Sequence, residues 1–373
     1  MTVQPHPTQR VIHVGVGAFG RRWCSEFLKR NVEDGTITVE ALVDCDPAAL
    51  EVGRRALGLS SERCFTDAAT AFAAVAADFC TIAVTPQHHE AVIDAALAAG
   101  LDILCEKPIA DTMEATLRIA RKVEAAGRKM AVTMSHRFDQ DKISLRRVVG
   151  SGQLGRINTI GMRFQGDMRQ FMAWTARFRH EMDHPLLVEG TIHHADILCD
   201  LAGAPCVSVK AVTWRPEWAE YAGDTDAILV LEFANGVKVV YEGSVSNAVG
   251  LNTFYKEYIR VDGERGTAIL NSRDLEMFMR QDIWRQQHRE GTGQKIPLLE
   301  QPKWINYWLI EKFAQWCAGG PPMETEVSRN VQTSAVIFAA IESQRTGRTV
   351  DLAEFIAGYE RKLDDAGGNG DAA

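Results

Sequence analysis

The sequence predicts an α/β protein of two domains. A doubly wound parallel sheet is expected over residues 1–135, then an α+β domain with an open, mostly antiparallel sheet over residues 136–363. Three observations predict this. Short apolar runs alternate with helix-period stretches through the first third of the chain. A glycine-rich turn, Gly15-Val-Gly-Ala-Phe-Gly20, joins the first run to the first helix. Beyond about residue 135, strand-like runs follow one another with few helices between them. The 373 residues are too many for a single core and sufficient for two.

In the first domain the expected strands are Val11–Val16, Thr38–Val43, Phe79–Val84, Asp102–Cys105 and Lys129–Met134. The helices between them fall at Phe19–Lys29, Pro47–Leu57, Gln87–Ala99 and Met113–Ala126. In the second domain the strands are Arg156–Gln165, Val207–Trp214, Ala227–Phe233, Val237–Val245, Tyr258–Asp262 and Thr267–Leu270. Ala234-Asn-Gly236 is a hairpin turn, Glu189–Leu201 a helix, and Trp304–Ala318 and Val327–Thr346 closing helices. Residues 364–373, rich in Gly, Asp and Ala, are expected to be a disordered tail.

Composition narrows the function. A net charge of −8 and the lack of a long basic run argue against nucleic-acid binding. The eight cysteines contain no C-x-x-C pair, which suggests a reducing compartment and no zinc framework. The polar N-terminus is unlike a secretory signal, and no apolar run is long enough to span a membrane. The expectation is a cytoplasmic protein with no membrane partner.

The glycine loop matches G-x-G-x-x-G after a strand and before a helix, the context the motif requires. Gly15 permits the tight turn, Gly17 lets the backbone approach a pyrophosphate, and Gly20 lets helix and strand pack closely. Ala18 and Phe19 complete the loop, whose helix N-terminus presents free N–H groups to the phosphates. Asp44 ends the second strand about 24 residues later, where a carboxylate accepts from the adenosine ribose hydroxyls and repels a 2′-phosphate. NAD is therefore favoured over NADP. Thr85 and Pro86, at the end of another strand, are expected to border the nicotinamide ribose. His88 and His89 follow at a helix start, either as exposed residues or as cofactor contacts, and His89 is the candidate contact.

Glu106-Lys107-Pro108 ends a further strand, and a lysine there points to where open α/β sheets bind ligands. Lys107 can hold a substrate hydroxyl beside the nicotinamide. On the helix Glu189–Leu201, Glu189 and His193 are four apart and Asp196 lies three beyond, so they share a face. His193 is a candidate general acid/base for a secondary alcohol. No metal site is expected: His193, His194 and Asp196 could ligate one, but His194 points away from the other two. Trp174 and Arg163 are candidate substrate contacts, since tryptophan faces and arginine forks suit sugars and polyols. Arg137 ends a strand and is a further candidate.

Together the loop Gly15–Gly20, Glu106-Lys107-Pro108 and Glu189-Gly-Thr-Ile-His193-His-Ala-Asp196 resemble the signatures of the Gfo/Idh/MocA family, which includes glucose–fructose oxidoreductase and inositol dehydrogenase. The likeness runs from about Arg10 to Asp351. It implies an NAD-binding Rossmann domain followed by a substrate-binding and oligomerisation domain, and a homodimer or homotetramer formed through the open sheet. It also implies that Lys107 and His193 are the catalytic pair, that Glu189 stands in place of the family's aspartate, and that Glu106 lies near the nicotinamide ribose. The stretch His184–Glu189 is similar to members acting on sugars and anhydrosugars, such as levoglucosan dehydrogenase. The expected activity is NAD-dependent oxidation of a secondary hydroxyl of a sugar, anhydrosugar or cyclic polyol. The competing readings are an NAD-dependent redox-neutral glycosidase or epimerase, and a dinucleotide-sensing regulator.

Overall fold

The computed structural model describes residues 7–281 and 287–368. The chain divides into two compact units: residues 1–135, 303–334 and 362–373 in the first, and 136–302 and 335–361 in the second.

The first unit carries a six-stranded, wholly parallel sheet in the order β3-β2-β1-β4-β5-β6. Its strands are β1 Gln9–Val14, β2 Ile37–Val43, β3 Cys64–Phe65, β4 Phe79–Ile82, β5 Asp102–Cys105 and β6 Met130–Val132. Near-continuous apolar runs suit a sheet covered on both faces, and every residue of β4 is buried. The helices start where the sequence supplies caps. The Asp46 side chain accepts from the Ala48 N–H ahead of helix Pro47–Leu57, which ends at Gly58 with φ 69°. Thr112 caps Met113–Ala125 in the same way. Strand order reverses between β1 and β4, the switch point at which doubly wound sheets hold their ligands.

The second unit contains a nine-stranded sheet in the order β14-β13-β12-β11-β7-β10-β9-β8-β15. These are β7 Ile157–Gln165, β8 Cys206–Trp214, β9 Asp226–Phe233, β10 Lys238–Ser244, β11 Tyr258–Gly263, β12 Gly266–Asn271, β13 Asp274–Met279, β14 Gln294–Lys295 and β15 Val350–Asp351. All neighbours are antiparallel except β7 and β10. The turn at Gly236 (φ 90°) links β9 to β10. The central strands β7, β8, β9 and β10 alternate along most of their length. Ala211, Leu229, Tyr241 and Met162 are buried on one face, and Val212, Trp214, Ile228, Val230 and Val240 are exposed on the other.

Three features differ from expectation. The chain does not remain in the second unit up to residue 363. Residues 303–334 return to the first unit, where Tyr307 packs edge-on against Phe27 and Phe313 against Phe79. Aromatic partners so distant in sequence leave no local signature. The helix Leu352–Gly368 runs through part of the expected disordered tail, and Arg121 pairs with Asp364 at 2.6 Å. The rest of that tail, residues 369–373, lies outside the described residues. The helix expected at Glu189–Leu201 is preceded by a wide π-type turn, Leu186–Thr191, all buried, before the α-helix Ile192–Ala202. Wide turns of this kind recur at functional sites.

Candidate active site

In the first unit the candidate residues gather at the carboxyl ends of β1, β2, β4 and β5. The loop leaves β1 with Gly15 at φ 94°, and a Cβ there would lie 2.6 Å from the Ala83 backbone. A Cβ on Gly20 would lie 1.9 Å from the Gly15 carbonyl oxygen. At Gly17, by contrast, an added Cβ would meet only Asp44 Oδ2, at 3.8 Å, so the loop surface is open for a phosphate-bearing group. Ala18 and Phe19 are exposed beside it. This cradle fits a dinucleotide. Asp44 Oδ2 accepts from the N–H groups of Val16 (2.6 Å) and Gly17 (2.9 Å), and Oδ1 accepts from the Asp46 N–H (2.9 Å). The carboxylate thus braces the loop and retains acceptor capacity on Oδ1.

The close approach of Gly15 to Ala83 brings the Thr85-Pro86 turn alongside the loop. Thr85 Oγ1 bonds His88 Nδ1 at 2.9 Å. His89, the expected cofactor contact, is instead fully buried. Its Nδ1 faces the carbonyls of Pro108 (3.0 Å) and Ile109 (3.2 Å), and its Nε2 that of Val84 (3.1 Å). Both nitrogens are therefore used to tie the turn after β4 to the turn after β5. His89 positions Lys107-Pro108, a peptide in the cis form, and does not present its ring to a ligand.

Glu106 is buried, with Oε1 accepting from Trp23 Nε1 (2.9 Å) and Asn306 Nδ2 (3.4 Å). Burial pushes its carboxyl above the usual range, opposed by the Lys107 ammonium and by the hydrogen bond from Trp23. Lys107 is half-buried next to it.

The second unit places His193 in the first turn of the helix Ile192–Ala202, its ring stacked face to face on His136 with centroids 3.9 Å apart. Glu189, in the wide turn, is buried and paired with Arg179 at 2.8 Å. The Arg179 guanidinium also lies 5.3 Å over the Trp174 ring. Trp174 sits against Gly190, where an added Cβ would come within 3.5 Å of the indole. Trp174, Glu189 and Arg179 therefore form one group. Met172 (φ 65°) and Thr175 (φ 57°) flank Trp174 with left-handed backbones, strain of the kind that clusters at functional segments.

Two expected substrate contacts go elsewhere. Arg163 lies on the open outer face of the sheet, paired with Glu242 at 3.1 Å, whereas its neighbour Phe164 faces inward against His194 at 4.8 Å. The two-residue period of a strand makes those placements mutually exclusive. Arg137 is buried and engaged by Asp196 (2.9 Å) and Asp200 (3.0 Å), which share the His193 face of the helix. It positions that helix. Asp196, which the sequence places on the His193 face, thus has a guanidinium partner.

Several site residues carry no sequence signal. His136 was visible only as the neighbour of Arg137. Phe254 and Tyr255 lie in the loop before β11 and contact the His136 ring, with centroids 5.3 and 4.6 Å away. Glu257, fully buried in the same loop, pairs with Lys142 at 2.5 Å. Burial opposes its charge, but the Lys142 ammonium holds its carboxyl well below the usual range. A paired acid and base would have been a signal only if their contact across 115 residues were known.

A parallel sheet bearing a glycine-rich phosphate cradle, followed by an α+β domain with a buried histidine-bearing helix, defines a dinucleotide-dependent oxidoreductase. Comparison with known proteins agrees. Residues 9–134 match the oxidoreductase family with an NAD-binding Rossmann fold, and residues 143–269 match the GFO/IDH/MocA C-terminal domain. The chain belongs to the GFO/IDH/MocA oxidoreductase family and carries its NAD-binding Rossmann domain. It is 56% identical over 353 residues to the uncharacterized protein y4oX of Sinorhizobium fredii, an alignment covering 94% of this chain and 98% of that one. It is 28% identical to the D-apiose dehydrogenase of Paraburkholderia graminis, covering 91% of this chain and 88% of the other. Among solved structures, an oxidoreductase from Agrobacterium radiobacter in complex with NAD+, L-tartaric acid and magnesium superposes with a TM-score of 0.78 at 24% identity, covering 93% and 99% of the two chains. Levoglucosan dehydrogenase, in complex with NADH and levoglucosan, superposes with a TM-score of 0.77 at 17% identity, covering 92% and 99%. Among the described residues no helix is long and apolar enough to cross a membrane, and all eight cysteines are free.

Proposed function

We propose that this oxidoreductase is a dehydrogenase that oxidises a secondary hydroxyl of a sugar, anhydrosugar or cyclic polyol. NAD, when bound, accepts the hydride from the carbinol carbon. Lys107 holds and polarises the hydroxyl, His193 takes its proton, and Glu189 orients the substrate side of the site. The observation that carries the reading is that Glu189, paired with Arg179 against Trp174, lies four residues before the buried His193, so one stretch of chain supplies both a proton acceptor and a polar and aromatic surface suited to a polyhydroxylated ring. Relatives named D-apiose dehydrogenase and inositol 2-dehydrogenase support the substrate class. Asp44, which repels a 2′-phosphate, supports NAD over NADP. The exposed row Val212, Trp214, Ile228, Val230 and Val240 supports pairing with a second copy to form a homodimer or homotetramer.

The test is NADH formation across a panel of sugars, anhydrosugars, inositols and sugar acids, with NADP in parallel. Turnover by one group, lowered roughly 10²–10⁴-fold in kcat by Lys107→Ala and by His193→Asn with NAD affinity unchanged, is expected. Tight NAD binding with no reduction anywhere in the panel would overturn the reading in favour of a redox-neutral glycosidase or epimerase, or a dinucleotide sensor.

A further inference from the structure

Behind His193 lies a buried cluster that the proposed chemistry does not use. His136 comes from the short turn Ser135–Phe138, His194 from the helix Ile192–Ala202, and Glu257 from the loop before β11. His136 Nδ1 and His194 Nε2 each stand 3.7 Å from the same oxygen, Glu257 Oε1. All three donor atoms lie within 4.8 Å of one another. The separation of 3.7 Å is too long for a hydrogen bond, and both ring nitrogens are buried without a hydrogen-bond partner. Donors around a cation at ~2.1 Å stand about 3.4–3.6 Å apart, close to the two separations of 3.7 Å from Glu257 Oε1.

The surroundings match a ligand set. His194 Nδ1 lies 2.9 Å from the Tyr241 hydroxyl, which is itself 3.1 Å from Thr191 Oγ1. With Nδ1–H donated to Tyr241, the Nε2 lone pair faces Glu257. That is the tautomer a metal requires, held by the kind of outer hydrogen bond that orients ligating histidines. Glu257 Oε1 accepts one N–H, from Tyr255 at 3.0 Å, and keeps a second lone pair, while Oε2 is held by Lys142. Charge points the same way. Lys142 is shared by the buried carboxylates of Asp141 and Glu257, while Arg273 pairs with Asp139. Buried charges are stable only when compensated.

We propose that His136, His194 and Glu257 form a binding site for a divalent transition-metal ion, zinc foremost, directly behind the His193 ring. Two imidazoles and one carboxylate are donors of zinc type, unlike the all-oxygen sets that select magnesium or calcium. His194 does not join His193 and Asp196 around an ion; it turns to Tyr241 and Glu257 instead. The ion ties together three separate segments of the second unit and fixes His136 against His193. Its binding does not depend on the catalytic role proposed for His193.

The test measures metal directly. Protein prepared without metal-affinity resin is assayed for bound metals by mass spectrometry, then stripped with a chelator and titrated with Zn2+ by calorimetry and with Co2+ by visible absorption. One ion per chain and Co2+ d–d bands of a low-coordinate site are expected. His194→Gln and Glu257→Gln should each weaken binding by at least about 100-fold, and Tyr241→Phe by about 10-fold or more. The near- and far-UV circular dichroism of each variant, which reports the second unit as well as the first, serves as the folding control. No metal taken up by the stripped wild type, or equal uptake by Glu257→Gln with the spectra unchanged, would overturn the proposal. The latter result would mean that ions bind elsewhere, at surface histidines.

Discussion

His13 should make the first unit acid-labile. It sits on β1 beneath the glycine loop, fully buried, its Nδ1 2.8 Å from Thr81 Oγ1 and its ring stacked on Trp23 at 5.6 Å. Burial pushes its pKa down to about 4, against an opposing hydrogen bond to Gly15 and the more distant charge of Asp44. In the unfolded chain the pKa returns to about 6.5. Because the folded value is the lower one, the unfolded chain binds the extra proton between those two pH values. The contribution is complete above about pH 6.5 and is lost as pH falls, at roughly 1.4 kcal/mol per pH unit, to about 3 kcal/mol below pH 4. The perturbation is His13→Phe with Thr81→Val. The phenyl ring keeps the stack on Trp23, and removing both polar partners avoids the roughly 1–3 kcal/mol cost of an orphaned threonine hydroxyl. Denaturant unfolding of wild type and double variant is compared from about pH 7.5 to about pH 4.5. The wild type should lose about 2–3 kcal/mol more than the variant over that range. Equal losses would refute the argument and place the acid sensitivity in other groups.

Three further outcomes follow from the geometry. Arg179→Ala removes the guanidinium paired with the buried Glu189 and should lower stability by about 3–5 kcal/mol, seen as a drop in melting temperature, with Arg179→Lys recovering part of it. Asp44→Ser removes the repulsion of a 2′-phosphate together with the brace on Val16 and Gly17, so kcat/KM for NAD should fall about 10-fold or more while the NAD/NADP preference narrows. Trp214→Lys with Ile228→Lys puts charge on the open sheet face; sedimentation should show a smaller species with its far-UV spectrum unchanged, and an unaltered assembly would remove that face as the contact between copies.

What the sequence determined by itself is what local chemistry encodes. The parallel sheet followed from apolar runs alternating with capped helices, and the cofactor loop from glycines whose backbone demands are met at Gly15 and Gly20. The antiparallel sheet followed from alternation, and Lys107 from its place at a strand's end. Tertiary structure decided everything that depends on which distant residues meet. The carbonyls that His89 faces come from Val84 nearby and from Pro108 and Ile109, 19 and 20 residues later. Arg163 was misplaced because a run of polar and apolar residues names two faces without saying which one the helix covers. Arg137 was legible as an arginine at a strand's end, but the carboxylates that hold it come from a helix some 60 residues away. His136, His194 and Glu257 converge from three segments with no shared motif. Only the packing of the helix Ile192–Ala202 against the sheet brings two imidazoles to one carboxylate oxygen.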